Sequence, residues 1–91
     1  MTDTVIWSKN GCPYCDMAKN LLDRSGIKYE ERNISENTEL RETLLETLDK
    51  VNPGAPKTVP QIWLYGDFVG DYNALERYYE DHNMWSGNPG V

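Results

Sequence analysis

The chain has 91 residues, of which 38% are hydrophobic and 26% are charged, and its net charge at neutral pH is −6. That length supports one small domain with one modest core and excludes a two-domain protein. An acidic chain without a cluster of lysines and arginines is a poor nucleic-acid binder, so we expect no nucleic-acid partner.

The start of the chain, Met1-Thr2-Asp3-Thr4, lacks the basic and apolar segments of a secretory signal. No apolar stretch is long enough to span a membrane. We therefore expect a cytoplasmic protein without a membrane partner. In that reducing compartment a cysteine pair is more often catalytic or metal-binding than structural.

The charge is unevenly distributed. Residues 1–29 hold four basic and three acidic residues, a balance of +1, whereas residues 30–91 hold five basic and twelve acidic residues, a balance of −7. A locally positive surface in the first segment, which contains both cysteines, would favour a small anionic substrate.

The first third of the chain predicts a parallel β-α-β unit. Residues 4–8 are rich in β-branched and aromatic side chains and predict a strand. A helix is predicted over residues 13–25 with Gly26 as its stop, followed by a strand over residues 27–34. The apolar face of that helix, which we expect in the core, consists of Met17, Ala18, Leu21 and Leu22.

A second helix is predicted after residue 35, capped by Ser35 or Asn37, and it ends at the Pro/Gly-rich loop 52–56. Its apolar stripe consists of Leu40, Leu44, Leu45, Leu48 and Val51. Strands are predicted over residues 59–65 and 68–69, joined by a hairpin turn at Gly66-Asp67.

The last predicted helix opens on a capping box, with Asn73 as the cap and Glu76 as the third helical residue, and runs to about residue 83. The order β-α-β-α-β-β-α predicts an α/β fold with a four-stranded mixed sheet and helices on both faces. We expect one domain over residues 1–83 and a loose tail over residues 84–91.

Cys12-Pro13-Tyr14-Cys15 contains both cysteines of the chain and lies between the first strand and the first helix. A helix N-terminus stabilises a thiolate, and proline is favoured at the first helical position. The alternatives are two core cysteines or a metal site. Because a closed zinc site needs four ligands and His82 is the chain's one histidine, we expect redox chemistry and no metal.

Four segments give this chain its resemblance to a known family: Ser8-Lys9, Cys12-Pro13-Tyr14-Cys15, Thr58-Val59-Pro60-Gln61-Ile62 and Gly70-Asp71-Tyr72-Asn73-Ala74-Leu75. In this order and spacing they resemble the glutaredoxins, which have a thioredoxin-like fold, over roughly residues 3–82. The resemblance implies a dithiol, glutathione-dependent thiol-disulfide oxidoreductase. Cys12 would be the exposed nucleophile and Cys15 the more buried resolving thiol.

The resemblance also implies partners. Glutathione would be the reducing co-substrate, with no bound cofactor. Protein disulfides and glutathione mixed disulfides would be the substrates, and ribonucleotide reductase would be one recipient of electrons. We expect a monomer. Lys9 would bind the glycine carboxylate of glutathione, Lys57 would give a second anion contact, and Tyr14 would flank the groove.

Thr58-Val59-Pro60 resembles the segment in which this fold presents a cis proline to the cysteine pair. The backbone of Val59 would then pair with the cysteinyl residue of glutathione like an added strand. The resemblance also implies that Thr58, Pro60 and Gly70 belong to the glutathione site, together with Val59 and residues 71–73. In Gly70–Asn73 the chain departs from the family. Asp71 replaces a second glycine, and Asn73 cannot give the glutathione amine a carboxylate.

Backbone N–H groups of Tyr72 and Asn73 would still bind the γ-glutamyl carboxylate at a helix N-terminus. Asp71 places a negative charge beside that carboxylate, which motivates one alternative: reduction by a flavoprotein thioredoxin reductase instead of glutathione. A second alternative is a dimer that binds an iron–sulfur cluster through Cys12 and two glutathiones. Pro13 and Cys15 argue against it, because such relatives usually have one active-site cysteine.

Overall fold

The computed structural model describes residues 3–35, 37–54 and 57–81. Their elements are β1 (Val5–Ser8), α1 (Pro13–Arg24), β2 (Glu30–Asn33), α2 (Thr38–Val51), β3 (Gln61–Leu64), β4 (Asp67–Gly70) and α3 (Tyr72–Asp81). This is the predicted order of strands and helices. The end of the last helix, His82 and the predicted tail lie outside the described residues.

One mixed sheet has the strand order β2-β1-β3-β4. β1 is parallel to β2 and antiparallel to β3, and β3 is antiparallel to β4. The parallel pair needs a crossover connection, and α1 provides it. The predicted four-stranded mixed sheet is therefore confirmed.

The core has two parts because successive strand residues face opposite sides of the sheet. Ile6 packs on one side with buried residues of α1 and α3, whereas Trp7 packs on the other side with Leu44 and Leu48 of α2. Helices therefore cover both faces, as predicted. In the described residues no helix is sufficiently long and apolar to cross a membrane.

Two predictions about the first β-α-β unit were wrong in detail. The second strand spans Glu30–Asn33 and not residues 27–34, since Ile27 to Tyr29 lead from α1 into the sheet without joining it. Met17 is 43% exposed and is not a core residue. The buried stripe of α1 runs through Cys15, Ala18, Leu21 and Leu22, and Met17 lies just outside it.

The hairpin turn is one residue earlier than predicted. Leu64 pairs with Asp67, so the two-residue loop consists of Tyr65 and Gly66 and not of Gly66-Asp67. Tyr65 has φ 51° and Gly66 has φ 89°. Two positive φ values are what a type I′ hairpin turn requires, and that turn matches the twist of its strands.

The cap of the last helix was also predicted wrongly. α3 begins at Tyr72, and the Oδ1 atom of Asp71 accepts a hydrogen bond of 2.9 Å from the backbone N–H of Ala74. Asp71 is therefore the N-cap, and Asn73 is a residue of the first turn. At α2 the cap is Asn37, whose side chain accepts from Leu40 N at 3.1 Å.

Candidate redox site

The two cysteines form a disulfide at the N-terminus of α1, with their Cα atoms 5.2 Å apart. Cys12 is the N-cap residue, Pro13 is the first helical residue, and the backbone N–H of Cys15 donates to Cys12 Sγ at 3.2 Å. The sulfur thus occupies the position of a capping oxygen at the positive end of the helix dipole. In the reduced protein, this contact favours the thiolate of Cys12.

Cys12 is less exposed than the sequence predicted. It is 7% exposed and Cys15 is 1% exposed, so Cys12 is the more accessible of two largely covered residues. The backbone carbonyl oxygen of Val59 lies 3.8 Å from Cys12 Sγ and helps to cover it. The surface beside Val59 therefore lies next to the sulfur.

A groove of about 220 Å³ borders this surface. The described residues that line this groove are Tyr14, Thr58, Val59, Pro60, Asp71, Tyr72 and Asn73. The structure thus brings together seven of the ten residues that the sequence assigned to glutathione binding. The Val59–Pro60 peptide bond is cis.

Two aromatic rings form one wall of the groove. Tyr14, which is 56% exposed, lies with its ring centroid 5.9 Å from that of Tyr72. Burial, followed by the nearby carboxylate of Glu76, raises the pKa of the Tyr72 hydroxyl above its usual value of 10.0. The Tyr72 ring is therefore a neutral part of this wall at physiological pH, with a polar tip.

Neither predicted anion-binding lysine belongs to the described lining of the groove. Lys9 is exposed on the loop that precedes Cys12. Lys57 is exposed and forms an ion pair of 2.7 Å with Asp49 of α2. Gly70 ends β4 with φ +120°, and it lines an adjoining cavity of about 220 Å³ that also borders Thr58 and Asp71.

A ring of three polar residues fixes the loop that carries Cys12. Asn10 N donates to Ser35 Oγ at 2.8 Å, Ser35 N donates to Asn33 Oδ1 at 2.8 Å, and Asn33 Nδ2 donates to Asn10 Oδ1 at 2.9 Å. This ring was not predicted from the sequence. The parallel pairing of β1 and β2 was the available signal, because it brings the ends of both strands together.

A second polar group, also missed, ties α1 to the sheet. The hydroxyl of Ser8, which is fully buried, donates to Glu31 Oε2 at 2.6 Å, and Lys19 Nζ lies 2.9 Å from the same oxygen. These bonds, with the Ser8 bond as the larger cause, lower the pKa of Glu31 below 4.5. The hydrogen bond to Glu31 raises the pKa of Lys19.

Metal binding has no support in the described residues, where no group of three or more His, Cys, Asp and Glu side chains could hold an ion. The arrangement instead places a dithiol–disulfide pair at a helix N-terminus, beside a groove that Thr58, Val59 and Pro60 help to line. Such a pair can exchange electrons with another disulfide through a mixed disulfide.

Known proteins share both the sequence and the fold of this chain. The Glutaredoxin family profile matches residues 4–69. The chain is 39% identical over 80 residues to a glutaredoxin of Pseudomonas aeruginosa, covering 85% of this chain and 88% of that protein. It is 33% identical over 75 residues to glutaredoxin 3 of Escherichia coli K12, covering 82% and 83%.

The fold is similar to that of a buckwheat glutaredoxin solved as a complex with glutathione. The TM-score is 0.78 at 22% identity, and the match covers 93% of this chain and 77% of the buckwheat chain. At that identity the likeness concerns the fold of the two proteins.

Proposed function

Because this chain belongs to the glutaredoxin family and is a thiol-disulfide oxidoreductase, we propose that glutathione is the thiol that reduces it. The observation that carries the proposal is the groove, which begins at Tyr14 and Val59 beside Cys12 and ends at the first turn of α3. It is a binding surface next to the reactive sulfur. The buckwheat relative, which was solved with glutathione, supports the choice of ligand.

The reaction follows from the two sulfurs. The Cys12 thiolate attacks a glutathione mixed disulfide, the substrate's S–S bond breaks, and the substrate thiol leaves with a proton. Glutathione is then bonded to Cys12, and a second glutathione releases it as glutathione disulfide. With a protein disulfide, Cys12 first forms a mixed disulfide with the substrate protein. Cys15 then attacks Cys12 and releases the reduced substrate protein. The Cys12–Cys15 disulfide that forms is reduced by two glutathiones.

In this proposal each part of glutathione has its own place in the groove. Val59 offers its backbone to the cysteinyl residue, close to Cys12. The N–H groups of Tyr72 and Asn73, which have no acceptor inside the helix, bind the γ-glutamyl carboxylate. Lys9 reaches the glycine carboxylate from outside the groove, since a lysine side chain is long and adaptable.

Lys57 is a less favourable anion contact than Lys9, because the carboxylate of Asp49 already pairs with its charge. Thr58 and Pro60 shape the groove beside Val59, and Gly70 allows the close approach of β4 to α3. A Cβ atom on Gly70 would lie 3.1 Å from Cβ of Ala74.

We further propose that the protein is a cytoplasmic monomer and that its protein substrates include the disulfide of a ribonucleotide reductase.

The test is the glutathione-dependent reduction of a small mixed disulfide, coupled to glutathione reductase and NADPH. We expect turnover by the wild type and background rates for Cys12→Ser. A folded wild type without turnover would contradict the proposal. Reduction of the same protein by thioredoxin reductase and NADPH would then identify a flavoprotein as the electron donor.

A further inference from the structure

We infer that Asp16 determines the reactivity of this dithiol, because its carboxylate opposes the negative charge of the Cys12 thiolate. The inference concerns the sulfur itself and not the molecule that reacts with it, so it applies to any disulfide that the protein reduces. Three charged side chains carry it, which we call the charge group: Asp16 and Lys19 of α1, and Glu31 of β2.

Asp16 lies in the first turn of α1, next to the reactive cysteine. Its backbone N–H donates to the carbonyl oxygen of Cys12 at 3.2 Å, and Cys12 Sγ accepts from the N–H of Cys15, the residue before Asp16. Residues four apart on a helix are neighbours on its surface. The carboxylate and the thiolate therefore share the positive end of one helix dipole, and each charge disfavours the other.

The lysine beside Asp16 does not fully neutralise it. Lys19 Nζ lies 3.6 Å from Asp16 Oδ1 but 2.9 Å from Glu31 Oε2, and the shorter contact is a hydrogen bond. This hydrogen bond to Glu31 is also the largest cause that raises the pKa of Lys19. One lysine between two carboxylates leaves the charge group with a net negative charge. Because Glu31 holds the lysine, that charge is concentrated at Asp16.

Other charges near the sulfur lie on different segments. On the loop before α1, before the Val59-Pro60 segment and at the start of α3, the charged side chains of the described residues are Lys9, Lys57 and Asp71. All three are exposed, and Lys57 pairs with Asp49 at 2.7 Å. Asp16 differs from them because it belongs to the same helix turn as the thiolate and shares the donors of that turn.

A carboxylate beside the sulfur changes both the ionisation and the redox equilibrium of the dithiol. The thiolate is the reactive form of Cys12 and is charged, whereas the Cys12–Cys15 disulfide is neutral. When the S–S bond breaks, the pair takes up two electrons and one proton, the proton binds Cys15, and Cys12 becomes the thiolate. Asp16 therefore raises the free energy of the reduced form relative to the disulfide and makes the dithiol a stronger reductant.

The test removes this charge and keeps the shape of the side chain. Asp16→Asn in a Cys15→Ser background is titrated through the ultraviolet absorbance of the Cys12 thiolate. We expect an acid dissociation constant about twofold larger than that of Cys15→Ser alone, as for one exposed charge pair, because the Asp16 side chain is 72% exposed. With both cysteines present, Asp16→Asn should shift the equilibrium with dithiothreitol about twofold towards the reduced protein, which corresponds to about 9 mV.

Lys19→Met should change the dissociation constant in the opposite direction, because it removes the cation. Both differences should shrink in about 1 M salt, where the Debye length is about 3 Å, whereas a change in packing would not depend on salt. Asp23→Asn is the matched control. Asp23 is an exposed residue of the same helix, about 16 Å from Cys12 along its axis, and its replacement should keep the parent values.

Three results would overturn the inference. The first is an Asp16→Asn titration that coincides with that of its parent, and the second is a difference that persists unchanged in about 1 M salt. The third is an equal shift in Asp23→Asn, which would show that any charge on α1 has the same effect. None of these measurements contains glutathione, so each of these results would leave the proposed function intact.

Discussion

The sulfur of Cys12 lies 3.8 Å from the backbone carbonyl oxygen of Val59, although 47 residues separate the two in the sequence. β1 precedes the cysteine motif and β3 follows Val59-Pro60, and these two strands are neighbours in the sheet. The sheet therefore places the reactive sulfur beside the Val59-Pro60 segment. This arrangement brings two separate sequence motifs together at one surface.

Replacing Cys12 and replacing Cys15 are expected to have different effects on activity. Cys12→Ser should reduce glutathione mixed disulfides only at the background rate, because the nucleophile is lost. Cys15→Ser should keep this activity and lose the reduction of protein disulfides, because Cys15 serves to displace a bound protein. The coupled assay with both kinds of substrate measures the difference. Full activity of Cys12→Ser would show that another group attacks.

Stability should depend on pH through Glu31. Its pKa in the folded protein lies below the ordinary value of 4.5, so its bonds stabilise the fold fully above pH 4.5. That contribution is lost as pH falls through the folded-state pKa. Glu31→Gln should therefore lower the free energy of unfolding at neutral pH and have little effect in acid.

The size of this effect is limited because the Glu31 side chain is 35% exposed. We expect a difference below about 1 kcal/mol at neutral pH, as for a solvent-screened pair. Urea unfolding of both proteins across the acid range measures it. Glu42→Gln, at an exposed position of α2, is the control. A difference between wild type and Glu31→Gln that persists unchanged in strong acid would contradict this account.

Helices and strands could be predicted from the sequence where the residues that indicate them lie within the element itself. α1 spans Pro13–Arg24 against a prediction of 13–25, since a proline start, an apolar stripe and a glycine stop all lie within the segment. The groove residues around Pro60 and Tyr72 were assigned through a family resemblance. Their proximity to Cys12 is a tertiary property, which composition and spacing alone do not provide.

Other features could not be predicted because they depend on competition between neighbouring residues. Asp71 and Asn73 are both residue types that cap helices well. Because β4 ends at Gly70, the chain can begin α3 directly afterwards, and Asp71 becomes the N-cap. The Ser8–Glu31–Lys19 group joins residues that lie 12 and 23 positions apart, so no short pattern reveals it. The position of Met17 depends on how α1 is rotated against the sheet.

The different exposure of two apolar residues of α1 leads to a stability prediction. Leu22 is fully buried and Met17 is 43% exposed, although both are apolar residues of the same helix. Leu22→Ala should lower the free energy of unfolding by about 2–5 kcal/mol because it leaves a cavity in the core. Met17→Ala should change it by less than about 0.5 kcal/mol. Chemical denaturation gives both values, and equal losses would place Met17 in the core after all.

The hairpin turn at Tyr65-Gly66 leads to another stability prediction. Tyr65 has φ 51°, a conformation that asparagine adopts more easily than tyrosine, and its side chain is 61% exposed. Tyr65→Asn should raise the free energy of unfolding by about 0.5–1 kcal/mol, because a side chain with left-handed φ is costly unless it is glycine or asparagine. Gly66→Ala, at φ 89°, should lower it by about 1 kcal/mol.

Thermal or urea unfolding of these two hairpin variants provides the measurement. Opposite signs for Tyr65→Asn and Gly66→Ala would confirm a type I′ turn at Tyr65-Gly66. A loss of stability in Tyr65→Asn would contradict a turn at Tyr65-Gly66, and a stabilising effect of Gly66→Ala would contradict a positive φ at Gly66.

Of all these predictions, the central one is that Cys12 forms a mixed disulfide with glutathione in the groove. The most direct measurement is the intact mass and peptide map of Cys15→Ser after incubation with glutathione disulfide, with Cys12→Ser treated in parallel. We predict one glutathione per chain in Cys15→Ser, bonded to Cys12, and none on the buried Cys15 of Cys12→Ser. An unmodified Cys12, or equal modification of the two variants, would contradict the account.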